Sequence, residues 1–138
     1  VLNDMPKIWL YRGDTVRQFL SHVARLHTKI NHVYESDGQP KLDDNSVMAT
    51  RNQFDNFMYR HQLFWKLWKA YGFLKNEPLI KFEDFTNNPI EVVKGLQEWY
   101  WKQFRFGSPI SLPMPHKIEM DYTSKFANYE EILEWFDE

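Results

Sequence analysis

The stretch that most constrains this chain is the junction at residues 8–14. Ile8, Trp9, Leu10 and Tyr11 make a short apolar run, aromatic and β-branched, of the length of a buried strand, and Arg12-Gly13 ends it. Asp14 then stands where a helix cap belongs. Val16, Phe19, Leu20, Val23, Leu26, Ile30 and Val33 follow at close to the helical period, so a helix is expected from Asp14 to about Val33. A strand feeding directly into a helix, with periodic segments and a further apolar run downstream, predicts an α/β fold with a parallel sheet flanked by long helices.

Downstream, residues 35–46 are polar and turn-rich and read as a surface loop. Two roles stay open for it: a plain connector, or a loop placed to reach a substrate. From about Val47 to Tyr71 a second long helix is expected, with Phe54, Phe57, Met58, His61, Phe64, Trp65, Trp68 and Tyr71 on one stripe and Gly72 as its stop. That stripe reads as core in preference to a sugar-stacking face, because it would otherwise leave a large exposed apolar patch. On it, His61 reads as a hydrogen-bonded buried histidine before it reads as a ligand.

Leu79-Ile-Lys-Phe82 is the second strand, expected beside the first or nearly so and parallel to it. Asn88, Pro89 and Glu91 have the spacing of a capped helix start, and Ile90, Val93, Leu96, Tyr100 and Phe104 the spacing of its buried face. Gly107, Pro109, Pro113 and Pro115 break regular structure between 106 and 121. Asn128 and Glu131 form another capping box before a last helix packing through Tyr129, Ile132, Leu133 and Phe136.

Two readings of the first junction are open. Arg12 lies at the carboxyl end of its strand, where open α/β sheets bind ligands, and the amides after Gly13 begin a helix. Together they outline an anion site to which the Ser21 hydroxyl can add a hydrogen bond if its helix crosses the crevice. Alternatively Arg12 pairs with Asp14 or another acid, and Ser21 is merely tolerated in a helix. His116 and Lys117 could approach an anion or stay solvated. Glu83 and Asp84 are adjacent at a strand end, point to different sides, and read as structural rather than as an acid/base pair.

Trp9-Leu-Tyr-Arg12 followed by Ser21 resembles the 3′-phosphate-binding segment of sulfotransferases that use 3′-phosphoadenosine 5′-phosphosulfate. The arrangement of Arg12, Asp14, Gln18 and Ser21 is most similar to the bacterial trehalose-sulfotransferase branch. Leu79 to Glu91 resembles the family's strand ending in Tyr-Glu-Asp-Leu, with Phe82 and Phe85 in place of Tyr and Leu, and Asn128-Tyr-Glu-Glu-Ile132 resembles its closing helix. The resemblance implies a P-loop-NTPase-like three-layer fold, a nucleotide sulfate donor as cofactor, a carbohydrate or other hydroxyl acceptor, and nucleotide contacts from Arg12, Gly13, Ser21 and Lys117. It also implies a Gly-rich loop that cradles the 5′-phosphosulfate. None of the five glycines, at 13, 38, 72, 95 and 107, lies in such a loop, and no Arg-Lys-Gly-rich segment occurs near the end.

The chain is therefore expected to be the carboxyl-terminal part of a sulfotransferase domain, or a single domain over 1–138, inactive by itself unless an upstream segment or partner chain supplies the loop. It starts at Val1 and enters a strand almost at once, which favours missing upstream sequence. The alternatives are a non-catalytic binding or assembly module on that scaffold, and an unrelated helical interaction protein. No catalytic residue is assigned, and the histidines are not promoted to a base. A formal charge of −2 argues against general binding to nucleic acid or anionic membrane. With no Cys, thiolate chemistry, disulfides and thiolate zinc sites are excluded, and no metal site is expected. No apolar run reaches membrane-spanning length and no signal peptide is evident, which reads as a soluble, cytoplasmic chain.

Overall fold

The computed structural model describes residues 6–29, 41–104 and 120–138, and for 101–104 the backbone alone. It is a mixed helix and strand structure. Strand β1 (Trp9–Tyr11) leads to helix α1 (Thr15–Thr28), followed by α2 (Arg51–Leu67) and a π-helical turn (Trp68–Gly72). Strand β2 (Leu79–Lys81), α3 (Phe82–Asn87), α4 (Pro89–Phe104) and α5 (Tyr129–Asp137) complete it. The chain divides into two compact units, one of Val1–Gly13 with Gln62–Leu112, the other of Asp14–His61 with Pro113–Glu138.

The first unit holds the sheet. β1 and β2 pair directly and in parallel, as the two apolar runs predict, with Trp9 opposite Leu79, Leu10 opposite Ile80 and Tyr11 opposite Lys81. Residues two apart share a face of a strand. Trp9 and Tyr11 accordingly point together at the second half of α2 and the π-helical turn after it: Trp9 meets Phe64 and Trp68 edge-on, each at 5.7 Å, and Tyr11 meets Trp65 at 5.1 Å. Ile8 and Leu10, on the opposite face, stay about half exposed.

Buried Glu77 fastens this arrangement, accepting the Lys7 amide at 2.7 Å and the Trp9 indole N–H at 3.1 Å. Gly72 closes the π-helical turn because nothing larger fits. A Cβ there would fall 2.3 Å from the Trp68 ring and 2.6 Å from the Trp9 indole nitrogen. The strand expected to include Phe82 ends at Lys81, and the short helix α3 begins immediately at Phe82. Glu83 and Asp84 lie in its first turn, where carboxylates suit the helix dipole.

Helix α4 has the expected bounds but presents a different face. Val92, Leu96 and Trp99 are its half-buried apolar residues, Leu96 as expected, whereas Ile90, Val93 and Tyr100, also expected inside, are exposed. The Phe104 side chain lies outside the described residues. Among the described residues Asn88 makes no side-chain hydrogen bond. It ends α3 by donating its amide to the Asp84 carbonyl and begins α4 by accepting from the Val92 amide.

The second unit holds the fully buried apolar core: Phe19, Leu20, Val23 and Ala24 of α1, Val47, Ala49, Phe54, Tyr122 and Phe126, and Ile132 and Trp135 of α5. Phe19 is its centre, edge-on to Phe54 at 5.6 Å and Phe136 at 6.0 Å. Asp14 caps α1 as read, its Oδ1 accepting the Arg17 amide at 2.9 Å. The helix stops at Thr28 rather than near Val33. Lys29 turns left-handed (φ 61°) and returns its amide to the Arg25 carbonyl, the geometry that closes a helix. Residues 30–33, and 35–40 of the following loop, lie outside the described residues.

Helix α2 starts four residues later than Val47. Val47 is extended and bridged in parallel to Phe126, and a reciprocal capping box made by Thr50 and Gln53 begins the helix. The aromatic stripe of α2 is core only at Phe54; the residues after it are half-buried, and Tyr71 is exposed. Asn128 does not cap α5 through its side chain, because its amide group pairs with the backbone of Ala49.

Candidate functional site

Parallel, in-register pairing brings the carboxyl ends of β1 and β2 together, so the residues that follow each strand become neighbours. Arg12, after Tyr11, lies over the ring of Phe82, after Lys81, with the guanidinium carbon 4.1 Å from the ring centre. Stacking engages the face of a guanidinium, whereas oxyanions are recognised along its edge, so the two uses are compatible. Lys81 reaches across Gly13: a Cβ at Gly13 would come within 3.1 Å of the Lys81 ammonium nitrogen. Two cations and Glu83 thus gather at one end of the sheet.

Gly13 is where the expected anion site differs from what the structure contains. Its amide, expected as a phosphate donor, donates to Glu83 Oε2 at 3.0 Å. A carboxylate at that position holds the donor and repels a second anion. Glu83 is nonetheless structural, as read, since it joins the end of β1 to the start of α3. The Arg17 amide is likewise taken by the Asp14 carboxylate.

Ser21 lies in α1, half-buried, in the second unit, whereas Arg12 and Gly13 belong to the first. It shares one side of α1 with Gln18, His22 and Arg25, at positions three, four and seven residues from Gln18. The Gln18 Oε1 atom is buried there without a hydrogen-bond partner among the described residues. Lys117 and His116 lie outside the described residues. Of the residues expected to contact nucleotide, Arg12 and Gly13 are therefore together, joined by Lys81, Phe82 and Glu83, which the linear reading did not place beside Arg12. The signal was available: Phe82 follows its strand as Arg12 follows its own.

The fit to a nucleotide's 3′-phosphate is uneven. Arg12 and Lys81 suit a phosphate in charge and placement, while the Gly13 amide suits it only if Glu83 withdraws or is neutralised. A groove of about 450 Å³ runs between β2 and α4, lined by Leu79, Ile80, Val92, Leu96 and Trp99, and it shares Lys81 with the Arg12 site. Glu77, Asp84 and Glu91 also line it, and three carboxylates against one ammonium disfavour phosphate.

In the second unit, Arg25 Nη2 lies 3.1 Å from His22 Nδ1, and burial together with the charges of Arg25 and Arg60 lowers the His22 pKa below its ordinary value. The His61 ring stacks on Phe57 at 6.2 Å. Among the described residues no group of three or more His, Asp or Glu is placed to hold a metal ion, and no helix is long and apolar enough to cross a membrane. The chain matches no family model, no curated protein and no solved structure.

Proposed function

We propose that this chain is the nucleotide-holding part of a sulfotransferase with a P-loop-NTPase-like three-layer fold, in which Arg12 binds the 3′-phosphate of 3′-phosphoadenosine 5′-phosphosulfate. The observation that carries the reading is Arg12 at the joined carboxyl ends of two parallel strands, stacked on Phe82 beside Lys81. Parallel sheets bind ligands at that end, and a guanidinium held flat presents its donors in a fixed plane. Ser21 and Lys117 are further contacts on this reading, as the family resemblance implies. The bound donor supplies the sulfuryl group, which passes to a hydroxyl acceptor such as a carbohydrate. Arg12 and Lys81 neutralise and orient the nucleotide.

A non-catalytic binding module on the same scaffold is the second reading. The Glu83 carboxylate on the Gly13 amide favours it, because that contact occupies a donor the enzyme would use.

Calorimetric titration with adenosine nucleotides bearing or lacking a 3′-phosphate tests both. The 3′-phosphorylated form should bind more tightly, and Arg12→Ala should remove about ten- to a hundredfold of that difference, since charge-assisted hydrogen bonds contribute roughly 1.5–3 kcal/mol. Equal binding of the two nucleotides, or a difference unchanged in Arg12→Ala, removes the assignment. This chain alone should give no sulfated product with the donor and a panel of sugars, because its sequence contains no Gly-rich phosphosulfate-loop segment. Turnover above the uncatalysed background would contradict that expectation.

A further inference from the structure

Helices α1 and α2 are cationic although the whole chain carries a formal charge of −2. Between them they hold Arg17, Arg25, Arg51, Arg60 and Lys66 against a single acid, Asp55, and Asp55 is paired with Arg51 at 3.1 Å. Arg17 donates to the Met120 carbonyl and lies over Tyr122. Arg25 and Arg60 have no acidic partner among the described residues. Arg25 contacts His22 at 3.1 Å, and the Arg60 charge acts on the same ring, which meets Phe57 of α2 at 6.5 Å.

We propose that His22, Arg25 and Arg60 form an oxyanion site in the second unit, taking a tetrahedral phosphate, free or as a monoester. Arg25 is always a donor, so its contact with His22 Nδ1 makes that nitrogen an acceptor and assigns the ring proton to Nε2. The imidazole is thereby neutral and presents one N–H donor beside two guanidinium forks. Two guanidinium groups with no counter-ion among the described residues repel each other, and a bound oxyanion removes that repulsion while accepting charge-assisted hydrogen bonds. The charged groups that act on His22 are Arg25 from its own helix and Arg60 from α2, so among the described residues the field there is of one sign.

The site lies within the second unit and does not depend on Arg12. Its test is a titration of the full chain with inorganic phosphate and with phenyl phosphate, read at the His22 ring resonances, with sodium chloride at matched ionic strength as control. Saturable shifts with phosphate but not with chloride, and a rise in the His22 pKa when phosphate is bound, are expected. Arg25→Gln and Arg60→Gln should each weaken binding about tenfold, whereas Arg25→Lys, which keeps the charge, should weaken it less. Equal affinity for the two ligands identifies the phosphate group alone as what is held; tighter binding of phenyl phosphate identifies a monoester. Shifts reproduced by chloride, or unaltered in the Arg25→Gln and Arg60→Gln variants while circular dichroism remains native, would overturn the proposal. Nucleotide binding through Arg12 is read in the first unit, so the two failures are distinguishable.

Discussion

The Asn128 side chain pairs with Ala49 as a strand residue would: its Oδ1 accepts the Ala49 amide at 3.1 Å and its Nδ2 donates to the Ala49 carbonyl at 2.8 Å. The pair continues the parallel bridge in which the Val47 amide donates to Lys125 and the Ala127 amide to the Val47 carbonyl. Ala49 is buried, so removing the partner strands two backbone groups from water. Asn128→Ala should destabilise the chain by about 2–4 kcal/mol in urea unfolding. A loss within experimental error would mean that water replaces the side chain at no cost.

Glu77 and Gly72 should be the sensitive positions of the first unit. Glu77→Gln keeps one acceptor but turns an N–H group toward donors, and a loss of about 1–3 kcal/mol is expected from the contacts with Lys7 and Trp9. Gly72→Ala drives a methyl group into Trp68 and Trp9 and should cost a similar amount by overpacking. Unfolding midpoints of the two variants measure both; an unchanged midpoint for Gly72→Ala would mean the Trp68 ring moves freely.

Glu83→Gln should raise affinity for a 3′-phosphorylated nucleotide several-fold, about 1 kcal/mol, because it removes a negative charge from the Gly13 amide and from the neighbourhood of Arg12. Calorimetry on the variant measures this. Weaker binding would mean that Glu83 orders the end of β1 for the ligand instead of competing with it.

His22 makes stability depend on pH in a stated direction. Its folded pKa is lowered from the ordinary value of 6.5 by burial first, then by Arg25 and Arg60, so the unfolded chain takes up its proton more readily. The stabilisation from keeping His22 neutral is complete above 6.5 and is lost as pH falls from there through the lower folded value. Unfolding curves between pH 8 and 5, compared with His22→Gln, should show a shallower acid loss in the variant. Identical slopes would remove His22 as the cause.

How far the sequence foretold this structure depends on whether the deciding contact is local. The two strands, the Asp14 cap and the span of α4 follow from apolar runs and capping residues close together in the chain. Val47 has the phase of α2 yet bridges to Phe126, a contact no helical period can reveal. Helix α4 is apolar around much of its circumference, so spacing found Leu96 but could not choose between Ile90, Val93 and Tyr100 to one side of it and Val92 and Trp99 to the other. At the candidate site, Arg12 was legible from its place after a strand. The engagement of Gly13 by Glu83 was not, because it depends on α3 starting one residue after β2 ends.

The aromatic packing of the first unit gives the two units separate optical signatures. Of the six tryptophans, Trp135 is the one in the second unit, where it is buried against Phe54. Trp9 and Trp68 sit edge-on, 5.7 Å apart, in the first unit, close enough for their indole transitions to couple in circular dichroism. Replacing Trp135 with Phe therefore leaves an emission signal that belongs to the sheet unit, while helix content reports on both. Melting followed by the two signals distinguishes a chain that unfolds in one step from one whose halves come apart separately.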